Sequence, residues 1–448
     1  MNAPQRPMRT EAEQALLDAW ENARTGLPGG SLVAARRAAA IALFSDRGLP
    51  HRRVEEWKYT DLRARTRNAY PPAERPDAEA AARAVSALAD PLDGVDRFRL
   101  VMVDGFFFDE LSDRGPLLEA GIEVAPLAEL LAADGDMAAG LLATSDVADG
   151  DVAVALNTAF ATDGVVVFVP KGAALGKPIE LVHVTSEGTP RASTARSRIV
   201  VGEGASVRFI ESHRGPAGAA YQVNTLADLD IARGALVSWS RLQTESDAAQ
   251  HLTTFVARMA DDTSLDHLSV NRGAALARWQ GFVRIEGRHA RAGFYGATML
   301  SDKEHGDNTL IVRHVAPDSV SNELFKNVVD DRATGAFQGM IAVEKQAQKT
   351  DAKMMTRALL LSDEAQFASK PELEIFADDV RCGHGATAGD IDHTQLFYLM
   401  SRGLPRREAE RLLIESFLDE AIDAGSDGAV AEALKGIVSG WLARRGGA

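Results

Sequence analysis

Apolar and polar positions alternate in two ways along this chain, and the change of period divides it. Up to about residue 160 the spacing is mostly helical. TEAEQALLDAWENA opens on a capping box of Thr10 with Glu13 and places Leu16, Ala19, Trp20 and Ala23 on one face. SLVAARRAAAIALF starts at Ser31 and stops before Gly48 and Pro50. An Ala-rich segment near residues 76–90 reads as a further helix, as do PLAELLAADG and the stretch from Met137 to Thr144. RLVMVDGFFF reads as a strand that turns at Asp104-Gly105. From about Gly164 the period becomes two, in runs such as VVVFVP, IELVHVT, SRIVVGEGASVRFIES and RWQGFVRIEGRHARAGFYGATML. The turns between them (GEGAS, ARGA, ADDTS, GRHARAG, APDS) recur roughly every 27 to 30 residues.

Short strands at a fixed long period predict a solenoid, a parallel β-helix in which each coil buries its apolar face against the next. A β-sandwich is the competing reading and would need more tight hairpin signals. After Asp392 the spacing is helical again. Asp392 is placed to cap HTQLFYLMSR, which ends at Gly403, and Pro405 suits the first turn of the next helix. That helix carries Ala409, Leu412, Leu413, Ser416 and Phe417 on one stripe, and a last one carries Leu434, Ile437, Val438, Trp441 and Leu442. The expected organisation is a mostly helical unit over 1–160, a β-helix core over 161–391 and a helical unit over 392–448.

At 448 residues with net charge −15, no basic face of the size a nucleic acid needs can be assembled. The longest apolar runs are too short to span a bilayer. MNAPQRPMRTEAEQALL has no apolar core of signal-peptide length, and a single cysteine suits a reducing compartment, so the expectation is a cytoplasmic protein. GAALGKP (Gly172 to Pro178) is one residue short of a phosphate-binding loop and has a proline where a hydroxyl must meet magnesium; it reads as a turn. GEGASV at Gly202 lacks a third glycine and leads into a strand. Scattered acids give no paired-carboxylate site.

The one cysteine stands in ELEIFADDVRCGHGATAGDID. In a strand Cys382 and His384 leave the same face, with Asp378, Asp379, Asp390 and Asp392 nearby in sequence. Thiolate and imidazole are ligands for iron or zinc, but two of them make half a site, and another chain or the cargo must supply the rest. The plainer reading is a small buried hydrophobe beside a polar histidine.

EEWKYTDL, ALNTAFATDGVVVFVPKG and KPELEIFADDVRCGHGATAGDIDHTQLFYLMSRGLPRREAERLLIESF together resemble the SufD-type subunits of the SUF iron–sulfur cluster assembly machinery. The last segment is long and specific, and residues 60–150 are least characteristic. The resemblance implies a right-handed parallel β-helix between helical ends. It also implies a non-enzymatic scaffold that pairs with a SufB-type paralogue through the last part of the β-helix, with homodimers in isolation as a further form. The family's motif cysteine and histidine fall on Cys382 and His384, at an interface where a nascent cluster or iron is held transiently and shared. A SufC-type ABC ATPase would dock on the C-terminal helices, here on Leu396, Met400, Leu412, Leu413 and Phe417. His393 has no family motif behind it and reads as a helix-start residue. Two other readings stay open: a purely structural dimerisation subunit without metal ligation, and a β-helical carbohydrate-active enzyme.

Overall fold

A computed structural model describes residues 9–133, 135–144 and 148–445; the start of the N-terminal segment discussed above lies outside them. Helices α1 Glu11–Ala23, α2 Ser31–Arg47, α3 Leu62–Arg65, α4 Ala78–Ala87, α5 Arg114–Glu119, α6 Leu127–Ala132, α7 Asp136–Leu141 and α8 Val152–Phe160 precede the solenoid. Helices α9 His393–Ser401, α10 Arg406–Gly425 and α11 Gly428–Arg445 follow it. Strands β1 Phe98–Val103, β2 Phe106–Phe108 and β3 Glu123–Pro126 fall among the early helices. The solenoid strands are β4 Val165–Val169, β5 Ile179–Val184, β6 Ala192–Val201, β7 Ser206–Arg214, β8 Gln222–Ile231, β9 Leu236–Thr244, β10 Gln250–Met259 and β11 Ser264–Arg272. They continue with β12 Leu276–Ile285, β13 Arg291–Leu300, β14 His305–His314, β15 Val320–Val329, β16 Thr334–Val343, β17 Asp351–Leu360, β18 Gln366–Ile375 and β19 Arg381–Gly389. No helix among the described residues is long and apolar enough to cross a membrane.

Even-numbered strands from β4 to β18 form one sheet and odd-numbered strands from β5 to β19 the other, so the chain winds through eight parallel coils. In-register partners lie from 26 residues apart (Gln250 and Leu276) to 32 (Thr334 and Gln366). This is the period read from the turns. Each of those turns holds a residue in the left-handed region: Gly204, Gly234, Asp262, His289 and Asp318. Glycine takes this conformation without penalty and aspartate tolerates it, so one corner of the coil is stacked from residues able to make it. Backbone bonds tie successive corners, Gly204 N–H to Arg233 C=O and Gly234 N–H to Asp261 C=O, both at 2.9 Å.

The interior is a continuous ladder. Phe209, Trp239, Phe255, His267 and Trp279 stack from coil to coil with ring centroids 4.6 to 5.4 Å apart, and Phe325 and Phe337 follow at 4.7 Å. Such pairs add ~0.5–1.5 kcal/mol each beyond the area they bury. Gly296 makes room for the ladder, since a Cβ there would lie 2.3 Å from the Phe325 ring. Outside, α8 packs on the even sheet through Val154 against Leu226, Val256 and Phe282. Helices α10 and α11 cover the odd sheet through Ile414, Leu418, Ile422 and Trp441 against Leu268, Tyr295 and Val328.

The two ends of the solenoid differ. At the first coil β1 pairs with β5, β2 turns back on β1, and β3 runs antiparallel to β4. Asp163 fixes this closure by accepting from the N–H groups of Phe107 (3.1 Å) and Ala128 (3.0 Å). At the other end β18 and β19 each have a single neighbour, and their outer backbone groups have no strand to bond.

The segment EEWKYTDL clasps the flank. The buried Trp57 ring lies 3.8 Å from the Arg278 guanidinium, and its indole N–H donates to Asp151 at 3.2 Å. Gln338 donates to the Glu55 carbonyl at 3.1 Å, and Lys370 of β18 pairs with the Glu55 carboxylate. Because Trp57 joins the helices to Arg278 of β12 and to the apolar cluster that holds Leu252 and Leu276, Trp57→Ala is expected to cost ~3–5 kcal/mol. Urea unfolding of the full chain measures this, and an unchanged midpoint would show the clasp to be incidental.

Candidate functional site

β19 carries CGHGATAG, and its register fixes where the motif residues lie. Cys382 aligns with Ala352 of β17 and His384 with Met354, both buried interior residues. The pair therefore occupies interior-facing rows of the last coil, where no further coil covers them. Cys382 is partly buried against the core with Leu373 and Val380, and His384 is exposed. Burial pushes the Cys382 thiol up, and the Asp351 carboxylate adds to it, against a hydrogen bond from the Ala352 amide. The thiol of the lone chain is thus protonated at neutral pH, and ligation requires a partner or metal to draw the proton off. Inward along the His384 row lie Met354 and then Glu323, roughly 10 Å from the open end. Glu323 is fully buried with both carboxyl oxygens unpartnered, and desolvation holds it protonated.

The neighbouring acids do not join the pair. Asp379 is tied to Lys349, Asp392 caps α9 by accepting from the Thr394 and Gln395 amides, and Asp390 lies 3.5 Å from His393 at the helix start. Among the described residues, no set of three His, Cys, Asp or Glu donors gathers around Cys382 and His384. The half-site remains a half-site in this chain.

The five residues expected to dock an ATPase are divided. Leu396 is buried against the outer face of the odd sheet, and Leu413 and Phe417 pack partly beneath, the Phe417 ring 4.3 Å from the Lys326 ammonium. Met400 and Leu412 stay on the surface, 41% and 37% exposed. Phe397 and Tyr398, not singled out in the sequence, are more exposed at 73% and 56%, with Arg402 stacked 5.2 Å over the Tyr398 ring. GAALGKP and GEGASV are turns, between β4 and β5 and between β6 and β7.

A second polar constellation, also unforeseen, lines the interior of the early coils. Glu211 and His213 of β7 leave the same face, and His213 stacks on His183 of β5 with centroids 4.5 Å apart. The Glu211 carboxylate lies 2.8 Å from His213 Nε2 and accepts from the Trp239 indole N–H at 3.1 Å. Glu245 pairs with His251 Nδ1 at 2.6 Å, and Arg241 reaches His251 Nε2 at 2.8 Å. A polar chain continues from Arg241 through Asn271 to Asn308 (3.2 Å) and Thr298 (3.1 Å). Desolvation and neighbouring imidazoles push His183 down to about 3 and, despite Glu245, His251 to about 4. Burial works to raise Glu211 and Glu245, but bonded and nearby histidines outweigh it; Glu211 ends well below the usual range and Glu245 at about 2.

Comparison with known proteins agrees with this architecture. Residues 183–417 match the family described as the SUF system FeS cluster assembly SufBD core domain, and residues 10–181 match the SufBD protein N-terminal region. An iron–sulfur cluster assembly SufBD family protein of Synechocystis is 31% identical over 431 residues, 94% of this chain and 93% of that protein. The iron–sulfur cluster assembly protein SufD of Escherichia coli is 30% identical, covering 85% of this chain and 86% of its own. SufD of Bacillus subtilis is 29% identical over 60% of this chain and 62% of its own.

The buried histidines set a pH dependence. Burial moves His267 from 6.5 to about 3, so the folded chain leaves it neutral where the unfolded chain protonates it. Its contribution is complete above about pH 6.5 and is lost as pH falls toward the folded value. Glu304, raised to about 7 chiefly by burial, acts in the opposite sense and loses its contribution as pH rises from 4.5 through 7. His267→Gln is therefore expected to reduce the steepness of acid destabilisation between pH 6.5 and 4 by about one proton. Urea midpoints across that window measure it, and parallel curves for the two proteins would contradict the assignment.

Proposed function

The chain belongs to the SufBD family of the SUF iron–sulfur cluster assembly system, and from that premise we propose that it acts as a SufD-type scaffold subunit, without catalysis of its own, completed by a SufB-type paralogue. The observation that carries this reading is the open last coil. β19 brings Cys382 and His384 to an interior face that nothing among the described residues covers, beside two strands with free edges. Unpaired edges and a half-covered apolar interior favour a second solenoid set end to end, which would extend both sheets and bury Leu373, Ile375 and Cys382. Iron or a nascent cluster, as cargo, would then be held between His384, Cys382 and donors of the other chain. Gly383 and Gly385 flank His384 and keep the approach to it narrow-sided.

The division at 160/161 and 391/392 is part of the proposal: an N-terminal unit that closes the first coil, a core that presents the last, and a C-terminal unit for an ATPase of the SufC type. Nucleotide hydrolysis would belong to that partner. Its docking surface on this chain is the exposed cluster Phe397, Tyr398, Met400 and Leu412, while Leu396, Leu413 and Phe417 hold the helices on the solenoid.

The test is co-purification of this chain with a SufB-type paralogue and a SufC-type ATPase, followed by anaerobic iron and sulfide analysis. His384→Ala is expected to leave the three-protein complex intact and lower its cluster content at least ~10-fold, as loss of a metal ligand does. Cys382→Ser should have an equal or milder effect. Phe397→Glu should release the ATPase and retain the paralogue. Full cluster content in His384→Ala would leave only a structural role for β19, and failure to capture the paralogue at all would overturn the scaffold reading.

A further inference from the structure

The interior constellation of the early coils stands roughly 30 Å from β19, six strand steps along the odd sheet, and the scaffold reading does not use it. Three of its residues have the composition of a metal site. One donor atom each from His183, Glu211 and His213 lie within 4.8 Å of one another. Two imidazoles and a carboxylate are the donor set that holds ferrous iron in facial triads and zinc in hydrolase centres. Ligands about 2.0–2.2 Å from a tetrahedral ion are ~3.5 Å apart, so side-chain shifts of about 1 Å complete the geometry.

Two independent observations point to an occupant. His213 is 1% exposed, and its Nδ1 is buried without any hydrogen-bond partner, a state that buried imidazoles avoid. Beside it lies a small cavity of about 10 Å³, lined by His183, His213, Glu245, Thr225, Ser193 and Met102. That is space for one water-sized sphere, with polar donors on several sides. Glu245 further lines a separate cleft of about 1360 Å³ between the coil turns and helices α10 and α11, whose walls carry Asp247, Glu304 and Asp331 beside Arg272, Arg411 and Arg445. Glu245 thus borders both the cleft and the histidine cavity, with its own side chain 1% exposed.

We propose that His183, Glu211 and His213 bind one divalent transition-metal ion inside the solenoid, beside Glu245. The site belongs to this chain alone and needs neither Cys382 nor the paralogue. Its test is anaerobic Co²⁺ titration of the full-length, untagged Cys382→Ser chain, followed by visible absorption and by thermal melting. The expected result is about one Co²⁺ per chain with ligand-field bands of nitrogen and oxygen coordination and a raised melting temperature. Glu211→Gln and His213→Gln should each weaken binding at least ~10-fold, and His384→Ala should leave it unchanged. Displacement of the cobalt by Zn²⁺ or by Fe²⁺ supports the site and ranks the two metals. No bound Co²⁺ in the parent chain, or binding unchanged in Glu211→Gln, would overturn it; this holds even if His213→Gln fails to fold. Since His384→Ala is tested in parallel, loss of the interface site and loss of this one are read separately.

Discussion

A parallel solenoid buries each interior row only against the rows before and after it, and everything else in this molecule follows from how its two ends are treated. The aromatic ladder from Phe209 to Phe337 is stable in its middle because every ring has neighbours on both sides. At the first coil the cost of a bare end is avoided by β1, β2 and β3 and by the Asp163 carboxylate, which gathers the amides of Phe107 and Ala128 into the closure. At the last coil nothing comparable exists among the described residues, and the interior rows run out to Cys382 and His384. The proposal that a second solenoid continues the last coil rests on this asymmetry between the ends.

The flanks serve the same constraint. α8 and the Trp57 clasp pack on the outer face of the even sheet, and α10 with α11 on that of the odd sheet. Lys370, on the edge strand β18, is held by Glu55 from the N-terminal part of the chain and by Glu372 at 2.8 Å. The position of the open edge is therefore braced by residues more than three hundred places away in sequence. Inside, half of the early lumen is polar. Two adjacent rows, one through Glu211 and Arg241 and one through His213 and Asn271, are expensive to desolvate and are kept because most of their groups bond one another. That accounting fails to close at the orphaned Nδ1 of His213, as it does at Arg241 Nε, Gln243 Oε1 and both ring nitrogens of His267.

Much of this was legible in the sequence, for identifiable reasons. The coil period showed because one corner demands left-handed residues, and Gly204, Gly234 and Asp262 mark it at regular intervals. The family motifs showed because they concentrate at structural junctions: EEWKYTDL at the clasp, ALNTAFATDG at the start of the first coil, and CGHGATAG at the open end. The docking stripe was less clear. LFYLM and LLI are consecutive apolar residues, so helical period alone does not settle which of them faces inward; contact with Tyr295 and Val328 selected Leu396, Ile414 and Leu418. The interior histidines were missed because their grouping is set by the coil and not by local spacing. His183 and His213 are thirty residues apart and become neighbours only when β5 and β7 pair in register. Glu211-x-His213 on a strand was the available signal, and the coil period would have led from it to His183.

The central claim, that the last coil is an unfinished edge awaiting a second solenoid, is tested most directly by hydrogen–deuterium exchange of the backbone amides of β18 and β19 in the free chain and in complex with a SufB-type paralogue. The account predicts exchange in the free chain markedly faster there than in β13 or β15, and strong protection of both strands on pairing, with the early coils unaffected. Equal protection of β18 and β19 in the two states, with new protection appearing elsewhere, would contradict it.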